Sequence, residues 1–462
     1  MTRCHSNLLL FKKNPLIFCS CIPSMVTERL INGLNTYIRS MKFVYQKLLL
    51  LIVSFAFITV GRSNYVFIPM DNTQTDHLKA YGVAYKVLEL NDEIFWMLNY
   101  RGGAFMFKYR GEYEDLMLAR NVSYELITDG QSTNLISQLS DPDVNMNPMK
   151  LEKAPKIAVY SPPGMQPWDD AVTMVLTYSQ IPYDTIYDTE VIAGLLPTYN
   201  WLHLHHEDFT GQYGKFWSAY KNANWYQEQV RSSEALAKRL GFNKVSELKL
   251  GVAKKIRDYV AGGGYLFAMC SATDSYDISL AAEGVDICET PFDGDPMDPQ
   301  AQSKLDYSKC FAFKDFVIST NAAEYEYSNI DMTNQRMMQQ KFDFFTLFEF
   351  SAKSDEVPTM LTQSHEGVIK GFMGQTTSFK KSLLKSNVII LGDNKQANEA
   401  RYIHGTFGKG FWTFYGGHDP EDYQHKVGDE PTDLSLHPNS SGYRLILNNV
   451  LFPAAKKKEQ KT

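Results

Sequence analysis

The most constraining part of this chain is a helix, a glycine turn, a buried strand and a cysteine in immediate succession. Three glycines at 262–264 end a helical pattern that runs to Val260, and the apolar run 265–269 has the length of a strand. Cys270 follows directly, at the predicted start of another helix. Unpaired amides at a helix start carry partial positive charge, which favours a thiolate and can hold an oxyanion. The sequence therefore predicts a candidate nucleophile at Cys270.

The strand-like segments of the chain predict an α/β fold. Apolar runs that alternate with helical patterns are typical of a parallel sheet covered on both faces. We therefore expect a mostly parallel sheet with helices on both faces. The predicted strands are 156–160, 183–187, 201–205, 265–269, 388–391, 400–403 and 410–415.

Composition along the chain divides it into several parts. A linker rich in proline and asparagine at 140–148 separates a small N-terminal module, 64–145, from a main domain, 151–455. Mixed patterns and many aromatic residues at about 288–386 predict a partly β insertion in that domain. Asp169 is expected to cap a helix that follows the first strand of the main domain.

The N-terminal region predicts export. An apolar run at 48–60 follows Met41 and two lysines, and it is too short for a membrane span of about 20 residues. We interpret 41–63 as a signal peptide, or as an anchor if it is not cleaved, and 1–40 as a non-native extension. The expected location is the periplasm or cell envelope, with membrane contact only through an uncleaved N-terminal segment.

Charge and cysteine content exclude two classes of protein. A net charge of −6 offers no basic face for phosphates, so we expect no nucleic-acid partner. The six cysteines include no CxxC pair, which excludes a structural zinc site made of cysteines. We predict no cofactor and no bound metal, and a small molecule or glycan as the substrate.

Three loops at the predicted carboxyl ends of strands carry reactive side chains. They hold Cys270, the run His203–Asp208, and the run His418–Asp422. In an open α/β sheet such loops form the active site, so we expect them to meet in space. A cysteine nucleophile needs a base and a carboxylate that orients the base.

This chemistry assigns a role to each candidate residue. Cys270 would attack, His418 would move the proton, and Asp419 or Glu421 would orient His418. Other residues would bind the substrate, through side chains or through backbone amides that form an oxyanion hole. They are His205, His206, Glu207, Ser271 and Gly164.

Three other interpretations remain open. A cysteine after an apolar strand is often a small buried hydrophobe, and the same pocket would then bind a carbohydrate or partner without catalysis. The run His203–Asp208 could instead hold a metal ion for hydrolysis. A third alternative, glutamine-dependent amide transfer, follows from the resemblance below.

From Lys156 to the C-terminus the chain resembles the class I glutamine amidotransferase-like superfamily. The glycine turn, the strand, the Cys270 elbow and the late His418 carry this resemblance. It implies a flavodoxin-like topology and a Cys–His–Glu triad that releases ammonia from glutamine, with Cys270, His418 and Glu421 in those roles. The glycines at 262–264 and the run 417–419 are similar to the trehalose-utilisation branch. The overall pattern also resembles bacterial proteins labelled asparagine synthetase B.

The leading prediction is a hydrolase that acts on an amide or related acyl bond through a cysteine nucleophile.

Overall fold

The computed structural model describes residues 33, 37–47, 64–164, 166–339, 342–349, 351–355, 366–424 and 426–455. The chain divides into two compact units, Met1–Arg62 and Ser63–Thr462. In the first unit, residues 37–47 are helical and exposed. Most of the predicted signal segment, 48–63, lies outside the described residues. Among the helices that are described, none combines the length and apolar character of a membrane span.

A five-stranded, fully antiparallel sheet opens the second unit, in the order β4-β1-β3-β2-β5. Alternate residues of β1 face opposite sides, so Val66 and Phe67 enter different apolar clusters. The strands are β1 (Tyr65–Ile68), β2 (Ile94–Leu98), β3 (Ala104–Lys108), β4 (Glu125–Ile127) and β5 (Asn147–Leu151). The accompanying helices are α1 (His77–Glu89), α2 (Gly111–Arg120) and α3 (Asp129–Ser140).

The remaining described strands form a ten-stranded sheet. Its order is β11-β10-β13-β14-β15-β9-β8-β6-β7, with β12 paired to β14. The strands are β6 (Ile157–Tyr160), β7 (Asp184–Ile186), β8 (Trp201–Leu204), β9 (Tyr265–Met269), β10 (Phe344–Leu347), β11 (Val368–Lys370), β12 (Phe379–Lys380), β13 (Ile389–Asn394), β14 (Glu399–Phe407) and β15 (Gly410–Tyr415).

The predicted flavodoxin-like, mostly parallel sheet is wrong. In the ten-stranded sheet, parallel pairing joins only β7, β6, β8, β9 and β15, while the other strands pair antiparallel. Two residues, Gly408 and Lys409, connect β14 to β15, and Gly408 has φ +62°. So short a connection can only reverse the chain, because parallel neighbours need a crossover of about a dozen residues. The protein is therefore a mixed α/β fold with one fully antiparallel and one mostly antiparallel sheet.

Helices pack against the ten-stranded sheet and bury its apolar faces. Two long helices, α7 and α8, precede the strand that leads to Cys270, and α9 follows the cysteine. The helices of this part are α4 (Ala171–Tyr178), α5 (Asp188–Ile192), α6 (Trp217–Tyr220), α7 (Asn224–Arg239), α8 (Val245–Ala261), α9 (Ala272–Ala281), α10 (Thr290–Asp293), α11 (Ala301–Lys304), α12 (Thr333–Met337) and α13 (Ser441–Leu451).

Candidate functional site

Cys270 occupies a sharp turn between β9 and α9. Its φ is +49°, in the left-handed region that a residue with a Cβ adopts at a cost of about 1–2 kcal/mol. Its backbone N–H donates to the carbonyl of Gly417 at 3.1 Å, and the N–H of Ala272 donates to the carbonyl of His205 at 3.1 Å. These bonds tie the ends of β8, β9 and β15 together around the cysteine. Hydrogen bonds to the neighbouring strands on both sides therefore stabilise the strained backbone at Cys270.

The three loops predicted to meet lie side by side. Because β8, β9 and β15 are parallel neighbours, their carboxyl ends share one edge of the sheet. The rings of His205 and His418 have centroids 4.2 Å apart, and those of His206 and His418 are 5.9 Å apart. A cysteine and three imidazoles thus occupy one site, with Cys270 only 2% exposed.

His418 lies between a carboxylate and the cysteine. Its Nε2 is 3.0 Å from Oδ1 of Asp169, and Cys270 is close enough to the ring to contribute to its pKa. Burial and the nearby His205 ring act to lower the pKa of His418, but the interactions with Asp169 and Cys270 outweigh them, so its pKa is raised. The arrangement is a Cys–His–Asp relay, the order of groups that activates a thiol.

The side chains of Asp419 and Glu421 interact with groups other than the ring of His418. Oδ1 of Asp419 accepts from the hydroxyl of Tyr443 at 2.7 Å and from the backbone N–H of Glu421 at 2.9 Å. The carboxylate of Glu421 is 3.2 Å from Nδ1 of His437. The carboxylate that contacts Nε2 of His418 is Asp169, so the structure gives Asp169 the orienting position predicted for Asp419 or Glu421.

Of the two residues predicted to form an oxyanion hole, Ser271 lies beside Cys270 and Gly164 does not. Ser271 is buried next to Cys270, at the start of α9. Gly164 lies in an exposed turn with φ +100° and open space around its Cα, and no described contact connects it to the elbow. A backbone amide that the sequence did not suggest, that of Gln375, donates to Sγ of Cys270 at 3.2 Å. Such a bond favours a sulfur that carries negative charge.

His205, His206 and Glu207, which were predicted to bind the substrate, lie together in the site, and two of them interact with each other. The backbone N–H of His205 donates to Oε2 of Glu207 at 3.0 Å. Burial, with the charge of Asp170 as a further contribution, raises the pKa of Glu207 to about 8. Glu207 is therefore a protonated, neutral acid at pH 7.

A narrow cleft of about 40 Å³ reaches His206 and Glu207. Trp168 forms part of its wall and packs edge-on against the ring of His206, with centroids 5.2 Å apart. Lys249 lies deeper in the wall, with Nζ 3.0 Å from both carboxylate oxygens of Asp188. Because Lys249 is already paired with Asp188, its charge helps to hold the wall of the cleft together.

Sequence reasoning missed the acidic pair that follows β6. Asp169 was expected to cap α4, but the cap is Asp170, whose Oδ1 accepts from the N–H of Thr173 at 2.8 Å. The signal was available, because Trp168, Asp169 and Asp170 follow a strand of the same parallel group as β8 and β9. The rule that selected the other three loops would have selected this one as well.

Among the residues that the structure describes, three groups of side chains have spacings that suit a metal ion. The ligand atoms of His205, His206 and His418 all lie within 4.8 Å of one another, and so do those of Asp170, His203 and His205. The third group, Asp286, Cys288 and Asp293, is bridged by Lys244, with Nζ 2.6 Å from Asp286 and 2.9 Å from Asp293. The lysine is thus already paired with both carboxylates of that third group.

Comparisons with known proteins give no family assignment. No family model matches the chain, and no curated protein matches it. The similar solved structures include two with a TM-score of 0.32, and the match to each covers 65% of this chain and 100% of the other chain. They are a cytoplasmic protein from Salmonella typhimurium, 9% identical, and a cytoplasmic protein from Salmonella typhimurium LT2, 13% identical.

The descriptions of these two proteins contradict the predicted export of this chain. Both are called cytoplasmic, whereas the sequence predicted a periplasmic or cell-envelope location, and that prediction is corrected here. At a TM-score of 0.32 the likeness carries no argument for another location.

Proposed function

We propose that this protein is a hydrolase that cleaves an amide or related acyl bond through the thiol of Cys270. The observation that carries the proposal is the relay from Asp169 through His418 to Cys270 at a strained turn. A small hydrophobic cysteine would need neither the left-handed backbone nor a buried imidazole with its own carboxylate. Both features are costly to the fold and are typical of catalytic sites.

The proposed reaction begins with proton transfer from Sγ of Cys270 to His418. Because Asp169 accepts from the N–H at Nε2, the lone pair of the neutral ring lies on Nδ1, which takes this proton. Sulfur then bonds to the carbonyl carbon, whose oxygen becomes an oxyanion. When the tetrahedral intermediate collapses, the bond from carbon to the leaving group breaks, and the leaving group takes the proton from His418.

Water completes the cycle. His418 removes a proton from a water molecule, whose oxygen attacks the thioester, and the carbon–sulfur bond breaks to release the acid. The thiolate regains its proton from His418. The raised pKa of His418 supports this sequence, because the imidazolium formed in the first step is stabilised by Asp169.

The shape of the site favours a small substrate. The cleft of about 40 Å³ is lined by His206 and Glu207 rather than by Cys270, which is almost fully covered, so a substrate in the cleft would reach the sulfur only past these two side chains. Trp168 offers an apolar face, and the protonated Glu207 offers an O–H to an oxygen of the substrate. Glutamine-dependent amide transfer would use the same first steps and differ only in the acceptor of ammonia.

Alkylation with iodoacetamide, followed by peptide mass spectrometry, tests the nucleophile. Cys288 and Cys310 serve as internal controls, because they are as buried as Cys270 and burial raises the pKa of both thiols. We expect Cys270 to react at pH 7 about tenfold faster than either, and the variant His418→Ala to remove the difference. Equal rates for the three thiols in the native protein would refute the proposal.

Acyl transfer provides the second test. Incubation with small acyl p-nitrophenyl esters should add the mass of one acyl group to Cys270, with release of p-nitrophenol. The variant Cys270→Ala should release none above the uncatalysed rate, while Cys288→Ala should behave as the native protein does. If Cys270→Ala still releases p-nitrophenol above the uncatalysed rate, another group carries out the hydrolysis.

A further inference from the structure

The three imidazoles beside Cys270 form a cluster that the thiol relay does not explain. The relay uses only His418, yet a ligand atom from each of His205, His206 and His418 lies within 4.8 Å of the other two. His205 and His418 are fully buried, and His206 faces the cleft. Three neutral rings with converging nitrogens are a common ligand set for a divalent transition metal.

Two carboxylates lie beside the cluster, each close to a nitrogen of one ring. Oδ1 of Asp170 is 3.3 Å from Nδ1 of His205, and Oδ1 of Asp169 is 3.0 Å from Nε2 of His418. Metal-binding histidines usually donate their second N–H to a carboxylate, which fixes the tautomer and leaves the other nitrogen for the metal. The neighbouring group of Asp170, His203 and His205 fits this supporting role, since Nδ1 of His203 is bonded to the carbonyl of Phe267 at 3.1 Å.

The ring of His205, which lies close to both other imidazoles, leaves buried nitrogens without a hydrogen bond. Neither Nδ1 nor Nε2 of His205 makes a hydrogen bond among the residues that the structure describes, although Oδ1 of Asp170 is 3.3 Å from Nδ1. A buried polar atom without a partner costs about 1–3 kcal/mol. Since Asp170 lies near Nδ1, Nε2 is the nitrogen that we assign to the metal.

We propose that a divalent metal of the zinc class binds to His205, His206 and His418, and that it takes His418 away from Cys270. Ligand nitrogens about 2.0–2.1 Å from zinc lie about 3.3 Å apart, so side-chain shifts of about 1 Å would close the site. Three protein ligands would leave a fourth position for water. The second half of the proposal rests on the proposed thiol chemistry, because His418 cannot bind a metal and accept a proton through the same nitrogen.

Cobalt titration tests the site itself. The purified full chain is stripped with a chelator and titrated with CoCl₂, while the visible absorption of the metal is recorded. We expect one cobalt ion per chain, displaced by one equivalent of ZnCl₂. The variants His205→Ala and His206→Ala should each lose the signal, and Asp170→Asn should bind about 10- to 100-fold more weakly. His437→Ala is the control, because this ring is partly exposed and contacts Glu421 outside the cluster.

Two results would overturn the site. One is the absence of a cobalt signal in the native protein, and the other is a signal that persists in both His205→Ala and His206→Ala. His206 is partly exposed at the cleft, so its replacement is the safer one for folding, and a thermal unfolding curve in chelator checks both variants.

Alkylation of Cys270 with and without zinc tests the coupling. Saturating zinc should slow the reaction of iodoacetamide with Cys270 by about tenfold or more, and chelator should restore it. Unchanged alkylation in zinc-loaded protein would overturn the shared use of His418. Slow alkylation in metal-free protein would instead refute the proposed thiol chemistry, whatever the cobalt titration gives.

Discussion

Which nitrogen of His418 carries the proton decides what the residues of this site can do. Asp169 holds a proton on Nε2, so the other nitrogen accepts, either from the thiol or from a metal. The same carboxylate stabilises the imidazolium that forms when the thiol is deprotonated. A single aspartate on the loop after β6 thus sets both the tautomer and the charge of the ring.

Replacement of Asp169 by asparagine tests this role. The variant Asp169→Asn removes the charge and frees the tautomer, so the pKa of His418 should fall, because the bond to Asp169 is one of the contributions that raise it. Acylation of Cys270 should slow by about 100-fold or more. NMR titration of the His418 ring and ester turnover over pH measure the two effects. The matched control is Glu421→Gln, whose carboxylate contacts His437; an equal loss in this control would argue against the assignment.

Glu207 makes the stability of the protein depend on pH. Its pKa in the folded state is about 8, above the ordinary value of 4.5. The folded protein therefore holds this proton more tightly than the unfolded chain does, and the contribution of Glu207 to stability falls as pH rises from about 4.5 through 8. The variant Glu207→Gln lacks this loss.

Urea unfolding at pH 5 and pH 8 measures the effect. We expect the free energy of unfolding of Glu207→Gln, relative to the native protein, to rise by on the order of 2 kcal/mol between these two values. Glu228→Gln on exposed α7 should show no such change. A constant difference between Glu207→Gln and the native protein would mean that Glu207 is ionised throughout.

At the level of strands and helices, local sequence patterns predicted where the elements lie better than they predicted how the strands pair. The glycines at 262–264, β9 and the turn at Cys270 were predictable, because each depends on a few neighbouring residues. The parallel direction of the later strands was wrong, because the predicted strand 400–403 ended too early to show the two-residue connection that makes β14 and β15 a hairpin. The role of Asp169 was missed because hydrogen bonding to His418 joins residues 249 positions apart.

The helix that follows Cys270 is anchored by one buried carboxylate. Asp277 on α9 accepts from the backbone N–H groups of Phe311 and Ala312 at 2.7 Å and of Phe313 at 3.0 Å. Burial raises the pKa of Asp277 to about 6, although the three amides act to lower it. The carboxylate thus holds the segment 311–313 against the helix that carries the elbow.

Substitution of Asp277 by asparagine should be costly to the fold. The amide group keeps one accepting oxygen and turns an N–H₂ group toward the donors, so at least one buried N–H loses its partner. We expect the free energy of unfolding to fall by about 2–4 kcal/mol, measured by urea denaturation at pH 7. Asp258→Asn on exposed α8 should cost less than about 0.5 kcal/mol. Similar losses in the two variants would contradict the anchoring role.

Over the whole second unit, one arginine joins the two sheets. Arg444 on α13 is buried, and its guanidinium donates to the carbonyl of Gly102 at 2.6 Å and to that of Met70 at 3.3 Å. Both carbonyls belong to loops of the five-stranded sheet, while Asn448 of the same helix accepts from the hydroxyl of Tyr81 on α1 at 2.5 Å. Apolar residues of both sheets also share one core cluster. The two sheets should therefore unfold together.

Replacement of Arg444 by methionine tests that cooperativity, because methionine fills similar space and donates no hydrogen bond. Two buried carbonyls would lose a charged donor, so the free energy of unfolding should fall by about 3 kcal/mol. Hydrogen exchange followed by mass spectrometry should show β3 and β9 opening together in the native protein, and β3 opening first in Arg444→Met. Arg231→Met, at an exposed position of α7, is the control. If β3 already exchanges far faster than β9 in the native protein, the five-stranded sheet unfolds independently, and Arg444 does not couple it to the sheet that carries the cysteine.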